Sequence, residues 1–427
     1  MSRDANWFGQ PRGLTILFLT NMWEQFSYYG MRTLLVYYMT KQLLLAQETS
    51  SLIYGIYTAC AYFTPLVGGF IADRYLGKRR AIIIGGCVMA LGHFMMTQES
   101  LFYVALATIA IGNGLFLPSL PSQIKDLYAS GDPRAGRAFN VYYVGVNIGA
   151  VLAIFGCGAL GELYGWHWGF GTAGVGMVIG VLIYLAGQRH LPAQAQQPRV
   201  VQPSTPREGL ALDTLLLLFG VGAAVAVFRS AYEQMGNTVM LWADTGVDRI
   251  AWHFTIPATW FILINPACVM LITPLLLAWW RKREAAGFNP PPTRRMATGA
   301  LIVAASYLLL ATLSWNAGDA RVHWTLFALF WVVLTVGELF ILPTGLGLFA
   351  RLAPPRIGAT TVASWFLATF AGNFAAGLVG TLWSRISHPA FFALLAAICA
   401  TAGLGLYLMD GRARREGQDL TPQAEPG

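Results

Sequence analysis

Hydrophobic and polar positions in this chain segregate on the scale of whole segments. Apolar runs of about 20 residues, each long enough to cross a bilayer hydrocarbon core as a helix, are separated by shorter polar stretches. Twelve runs are predicted, at 13–39, 51–73, 79–98, 101–120, 137–161 and 167–187, then at 210–240, 254–280, 295–313, 323–350, 358–384 and 388–409. They form two sets of six around RHLPAQAQQPRVVQPSTPRE, a Pro- and Gln-rich stretch that reads as a surface linker. The pattern predicts an all-α integral membrane protein of twelve transmembrane helices in two six-helix bundles. Their bounds are 1–188 for the first bundle, 189–209 for the linker, 210–410 for the second bundle and 411–427 for a polar tail. The amino end leads into a span too polar for the h-region of a signal peptide, so the first helix is expected to stay.

Composition agrees. Of 427 residues, 56% are hydrophobic and 11% charged, against about 25% charged in a soluble domain. Of the 28 Lys and Arg, only Lys41, Arg249, Arg321 and Arg385 fall between spans on the far side, and Arg32 and Arg229 fall away from the ends of their spans. The rest share the side of the amino terminus. By the positive-inside rule both termini and the linker are cytoplasmic, in the cell's inner membrane, which also favours an even number of spans. The net charge of +8 is therefore a topology signal. No aromatic-interleaved basic patch suggests nucleic-acid binding.

Catalytic signatures are missing from the sequence. Cys60, Cys87, Cys157, Cys268 and Cys399 lie singly with no CxxC spacing, which indicates neither a disulfide framework nor a zinc site. The six histidines form no ligand pair at helical spacing, and there is no GxSxG or P-loop. No metal, cofactor or enzymatic activity is expected.

Charges inside the spans carry the functional signal, because an ionisable group at bilayer depth costs roughly 2.5–3.5 kcal/mol and needs a partner or a wet cavity. Glu24, Arg32, Arg229, Glu233 and Glu338 are so placed. With Glu24 at zero, a helical projection puts Tyr28 at about 40°, Asn21 at about 60°, Arg32 at about 80° and Gln25 at about 100°, which is one polar stripe. In span seven Arg229, Glu233 and Asn237 follow i, i+4, i+8 spacing. Span five repeats the device without charge in Asn140, Tyr143 and Asn147. Two readings stand: helix-to-helix glue in a closed interior, or a polar cavity for a charged solute. Spread over spans one, five, seven and ten, the set fits the cavity better. A zwitterion suits it, Arg32 holding a carboxylate in its planar fork and Glu338 an ammonium.

The chain resembles the proton-dependent oligopeptide transporter (POT/PTR) family of the major facilitator superfamily, and the resemblance covers most of its length. WEQFSYYGMRTLLVYYM in span one is similar to the family's ExxERFxYYG motif, and YFTPLVGGFIADRYLGKRRAI in span two to its Gly-Asp-Arg loop. FNVYYVGVNIGA, YEQMGNTVMLWAD, IPATWFILINP, ELFILPTGLGLFARLAPPR and WFLATFAGNFAAG follow in order. The resemblance implies alternating access, a substrate at the midplane and a monomer in the lipid bilayer, with peptides or peptide-like zwitterions and protons as partners. By position it implies substrate contacts from Tyr28, Tyr29, Arg32, Tyr62, Asn147, Asn265, Glu338 and Trp365. Glu24 and Glu233 are implied in proton coupling. Small Gly68 and Gly69 are expected to allow close helix approach. Asp73, Arg74 and Lys78 are expected to latch the helix ends by ion pairs; ordinary positive-inside charge is the alternative.

The sequence departs from the family pattern at three places. Asn21 and Gln25 stand where the family has Glu and Arg, and Leu117 in GNGLFLPSL stands where it has Lys. Removing one acid and two bases together leaves fewer unpaired survivors. Arg229 is an addition, read as restoring a positive charge near the cavity and lowering the proton affinity of Glu233; a purely local i, i+4 pair is the alternative. The expected function is therefore transport of di- or tripeptides or similar zwitterions, coupled to protons. Proton-independent transport, a non-peptide solute such as a modified amino acid, organic anion or peptidic siderophore, and a non-transporting ligand sensor remain as alternatives.

Overall fold

The computed structural model describes residues 9–128, 132, 134–192, 212–288, 290–352 and 358–411. Most of the predicted linker and all but the first residue of the tail lie outside the described residues. Helices account for nearly all the rest: α1 (Arg12–Tyr37), α2 (Gln47–Ile71), α3 (Lys78–Met95), α4 (Phe102–Asp126), α5 (Arg134–Ala153), α6 (Ala159–Tyr164), α7 (Trp166–Gly187), α8 (Leu212–Tyr232), α9 (Thr238–Thr245), α10 (Ile264–Ala285), α11 (Pro292–Ala317), α12 (Trp324–Leu352), α13 (Gly358–Gly380) and α14 (His388–Leu408). Two-residue strand pairs join Val247–Asp248 to Val322–His323 in parallel and Ile250–Ala251 to Phe254–Thr255 antiparallel.

Among the described residues ten helices are long and apolar enough to cross a membrane. The two expected spans outside this set are α1, whose middle carries Asn21, Glu24, Gln25 and Arg32, and α3, which opens on Lys78, Arg79 and Arg80. Expected span five continues from α5 through a π-helical turn at Ile154–Gly158 into α6. Expected span seven is interrupted: α8 ends at Tyr232, a 3-10 turn covers Glu233–Gly236, and Asn237 leaves the helical region at φ −119° and ψ −99° before α9. Asn237 therefore does not continue the face of Arg229 and Glu233.

The contacts divide the chain into two compact units. Unit 1 comprises Met1–Ala46, Cys60–Arg199 and Arg249–Met270. Its core gathers Leu14 and Leu17 of α1, Met89 of α3, Phe116 and Leu120 of α4, and Met177 of α7. Helices in a bilayer gain little from hydrophobicity against one another and associate by close packing of small residues. Gly68 of α2 shows this, since a Cβ there would overlap the Gly114 carbonyl of α4. Gly69 is looser, its added Cβ meeting Pro118 at an ordinary 3.4 Å.

Prolines inside these helices leave carbonyls without an intrahelical donor, tolerated in membranes where a neighbour supplies one. Pro65 lies within α2 and removes the donor to the Ala61 carbonyl. Asn113 of α4 fills the gap, its Nδ2 donating to Ala61 O at 3.0 Å.

Unit 2 comprises Gln47–Ala59, Val200–Asp248 and Leu271–Gly427. Here α11 packs on α12 and α14, and α8 on α13 and α14. Gly299 of α11 approaches Gly337 of α12 so closely that a Cβ would lie 2.6 Å from its carbonyl oxygen. An aromatic cluster fills one end, with Trp242 edge-on to Phe327 at 5.7 Å and to Phe392 at 5.2 Å. Both α2 and α10 are shared between the units, at Ala59/Cys60 and Met270/Leu271.

Candidate functional site

Unit 1 holds the polar stripe of α1. Glu24 is 1% exposed, and its Oε2 accepts a hydrogen bond from Gln25 Nε2 at 2.6 Å. A neutral amide thus serves the buried carboxylate. Asn21 is also buried and reaches toward the Tyr142 carbonyl at 3.5 Å. Ser27 Oγ donates to Ala173 O of α7 at 2.7 Å, tying the stripe to its neighbour. Tyr28 and Tyr29 are half-buried with their rings edge to face at 5.4 Å, and half-buried Arg32 lies one turn further on.

Tyr62 on α2 and Asn265 at the start of α10 are half-buried members of the same unit. Asn147 is buried and donates to Tyr143 O of its own helix at 3.0 Å. Asn140 and Tyr143 are exposed, so the α5 stripe runs from surface to interior.

Of the loop residues, Lys78 forms an ion pair between helix ends. Lys78 Nζ meets Asp126 Oδ2 of α4 at 2.7 Å and the Ser122 carbonyl at 3.3 Å. The reason is geometric: Gly77, at φ 75°, turns the chain between Asp73 and Lys78 and sends Lys78 into α3, which packs on α4. Asp73 and Arg74 are exposed on the π-helical turn Ala72–Leu76.

A further carboxylate of unit 1, Glu162, carries no local signal in the sequence. Glu162 of α6 accepts from Ala258 N at 2.9 Å and Thr259 N at 3.3 Å, capping the 3-10 turn Ala258–Leu263. It also accepts from Thr259 Oγ1 at 3.1 Å and pairs with Arg249 at 3.2 Å.

Unit 2 holds the other acids. Arg229 and Glu233, 5% and 1% exposed at their side chains, form an i, i+4 ion pair through Nη2 and Oε1. Arg229 Nε donates to Asn373 Oδ1 of α13 at 2.9 Å, and Asn373 Nδ2 donates to the Thr58 carbonyl of α2 at 3.2 Å. Tyr232 lies beneath the Arg229 guanidinium, 5.9 Å from ring centroid to carbon, and hydrogen bonds with Glu338 of α12.

The network continues through Gln234 Nε2, which donates to Ala376 O at 2.7 Å, and through Asn237 Oδ1, which accepts from Ser51 Oγ at 3.1 Å. The break after α8 therefore leaves its polar side chains satisfied. Trp365 is buried against Phe349 with centroids 5.4 Å apart. Asn373, Tyr232, Glu162 and Asp126 were not singled out by the sequence, although Asn373 stands inside the quoted WFLATFAGNFAAG. Among the described residues no group of three His, Cys, Asp or Glu could hold a metal ion.

Known proteins match over the same extent. The family model PTR2, described as the POT family, matches residues 79–206 and 204–394. The peptide transporter YePEPT of Yersinia enterocolitica is 29% identical, covering 87% of this chain and 88% of its own length. A di-/tripeptide transporter of Lactococcus lactis subsp. cremoris is 27% identical over 95% of this chain and 96% of its own. A crystal structure of a mutant peptide transporter POT in complex with alafosfalin is similar with a TM-score of 0.88 and 26% identity over 97% of each chain. The helical architecture and the family match across both halves of the sequence show that this multi-pass membrane protein belongs to the POT family.

Proposed function

We propose that this chain carries di- or tripeptides, or zwitterions like them, across the cell's inner membrane by alternating access, with both termini cytoplasmic and the monomer as the working unit. The observation that carries this reading is similarity to a di-/tripeptide transporter over 95% of the chain. Arg32 takes the substrate carboxylate and Glu338 its amino group. Tyr28, Tyr29, Tyr62, Asn147, Asn265 and Trp365 shape the surroundings. Glu24 and Glu233 carry the proton that couples substrate movement to the gradient.

Proton-independent transport is the second reading, and one observation favours it. Glu233 is already paired with Arg229 within its own unit, an arrangement that balances both buried charges without any further partner. Reconstitution into liposomes, with dipeptide uptake measured with and without an inward proton gradient, decides between them. Accumulation that requires the gradient supports coupling; equal net uptake without it supports the second reading, and no uptake of any peptide overturns both.

A further inference from the structure

The turn from α10 into α11 carries Arg281, Lys282, Arg283, Arg294 and Arg295 against a single acid, Glu284. Arg295 pairs with Glu284 at 2.6 Å and lies over the Trp280 ring at 5.2 Å. Arg283 is sandwiched, its guanidinium 4.9 Å from the centroid of Trp279 and 4.3 Å from that of Phe288. Arg294 lies 5.5 Å over Tyr407 of α14. Among the described residues neither Arg283 nor Arg294 has an ion-pair partner.

Aromatic faces fix a guanidinium in place without neutralising it and without accepting its in-plane hydrogen bonds. Arg283, Arg294 and Arg295, with Trp279, Trp280 and Phe288, line one pocket of about 180 Å³, whose one acid, Glu284, is taken up by Arg295. Trp279 and Phe288 are 45% and 50% exposed. The pocket stands at the end of an apolar span, at the level where tryptophans mark the membrane interface. Diffuse positive-inside charge needs neither stacked guanidinium groups nor a concave wall.

We propose that this pocket binds the phosphodiester of an anionic phospholipid. Arg283 and Arg294 supply the charge and the N–H donors for the phosphate, and the rings cover the glycerol backbone and the first acyl carbons. A free phosphate shares the first chemistry but has no use for the rings.

The test is lipid retention by the purified full-length chain, delipidated and then offered phosphatidylglycerol or phosphatidylcholine in nanodiscs, read by native mass spectrometry. Wild type is expected to keep phosphatidylglycerol under conditions that strip phosphatidylcholine. Each charge-assisted hydrogen bond to the phosphate is worth about tenfold or more in affinity, so the R283Q/R294Q double variant is expected to bind about 100-fold more weakly. R281Q/K282Q removes equal charge from the same turn but outside the pocket and is expected to retain the lipid. Equal loss in both double variants, or no loss in R283Q/R294Q, overturns the site. A second measurement needs no variant: phosphatidylglycerol is expected to raise the thermal unfolding temperature of wild type, and equal protection by inorganic phosphate or phosphatidylcholine at matched concentration overturns the lipid assignment.

Discussion

Arg229 and Asn373 are joined by a 2.9 Å hydrogen bond from Nε to Oδ1. Asn373 uses its amide nitrogen on the Thr58 carbonyl. One amide therefore ties the cation of α8, with its carboxylate partner Glu233, to the backbone of α2. The pair explains why an arginine is tolerated in an apolar span: its contacts to Glu233 and Asn373 are buried and complementary.

Removing that cation is expected to be severe. Arg229→Gln leaves Glu233 buried without its counter-ion and is expected to cost about 3–5 kcal/mol in stability, read as a lowered midpoint in thermal unfolding. Dipeptide uptake by this variant is expected to fall with the folded fraction. Arg229→Lys, which keeps the charge but not the planar fork, is expected to cost less than Arg229→Gln in the same unfolding measurement. Asn373→Ala is expected to cost about 1–3 kcal/mol through the donors and acceptors it strands.

Asn113 and Pro65 are expected to be coupled. Asn113→Ala leaves the Ala61 carbonyl without a donor, at about 1–3 kcal/mol. Pro65→Ala restores the backbone N–H, so the same Asn113→Ala change is expected to cost less in that background. A double-mutant cycle on thermal or denaturant unfolding checks this; equal costs in both backgrounds would refute the coupling.

Glu162 is expected to act as a cap more than as an ion. Glu162→Gln keeps an acceptor for the turn and is expected to cost about 1 kcal/mol, since its pair with Arg249 is partly solvated. Glu162→Ala loses the cap as well and is expected to cost about 2 kcal/mol. Hydrogen exchange at Ala258 and Thr259 distinguishes the two, rising only in the Ala variant.

Substrate recognition is checked at Arg32 and Glu338. A charge-assisted hydrogen bond contributes about 1.5–3 kcal/mol, so Arg32→Ala is expected to raise the KM for a free dipeptide by about tenfold to a hundredfold. A dipeptide amide, which lacks the carboxylate, is expected to lose little. Glu338→Gln is expected to show the mirror pattern with an amino-acetylated dipeptide.

Much of the fold was legible because the bilayer imposes a length on every apolar run and helical periodicity puts Glu24, Tyr28 and Arg32 on one face. Periodicity reports only a helix's own face, however. Lys78 finds Asp126 on α4, and Glu162 finds the turn after Pro257; such partners lie far along the chain and leave no local signal. The break at Glu233–Asn237 was hidden for another reason. Gln234 donates to the Ala376 carbonyl of α13, Asn237 to Gln234, and Ser51 of α2 to Asn237, and nothing within span seven announces the partners that make a broken helix tolerable.

The Pro65 exchange has a mechanical corollary. The carbonyl that Pro65 orphans in α2 is served from α4, while Pro118 in α4 deprives the Gly114 carbonyl, which faces Gly68 of α2. The proline-weakened stretch of α2 is thus braced by α4, and the proline-weakened stretch of α4 lies where the two backbones approach most closely. A bend at Pro65 that carried α2 away from α4 would strand the Ala61 oxygen in an apolar medium and open the Gly68–Gly114 contact, so the two helices behave as a single jointed strut, costly to pull apart.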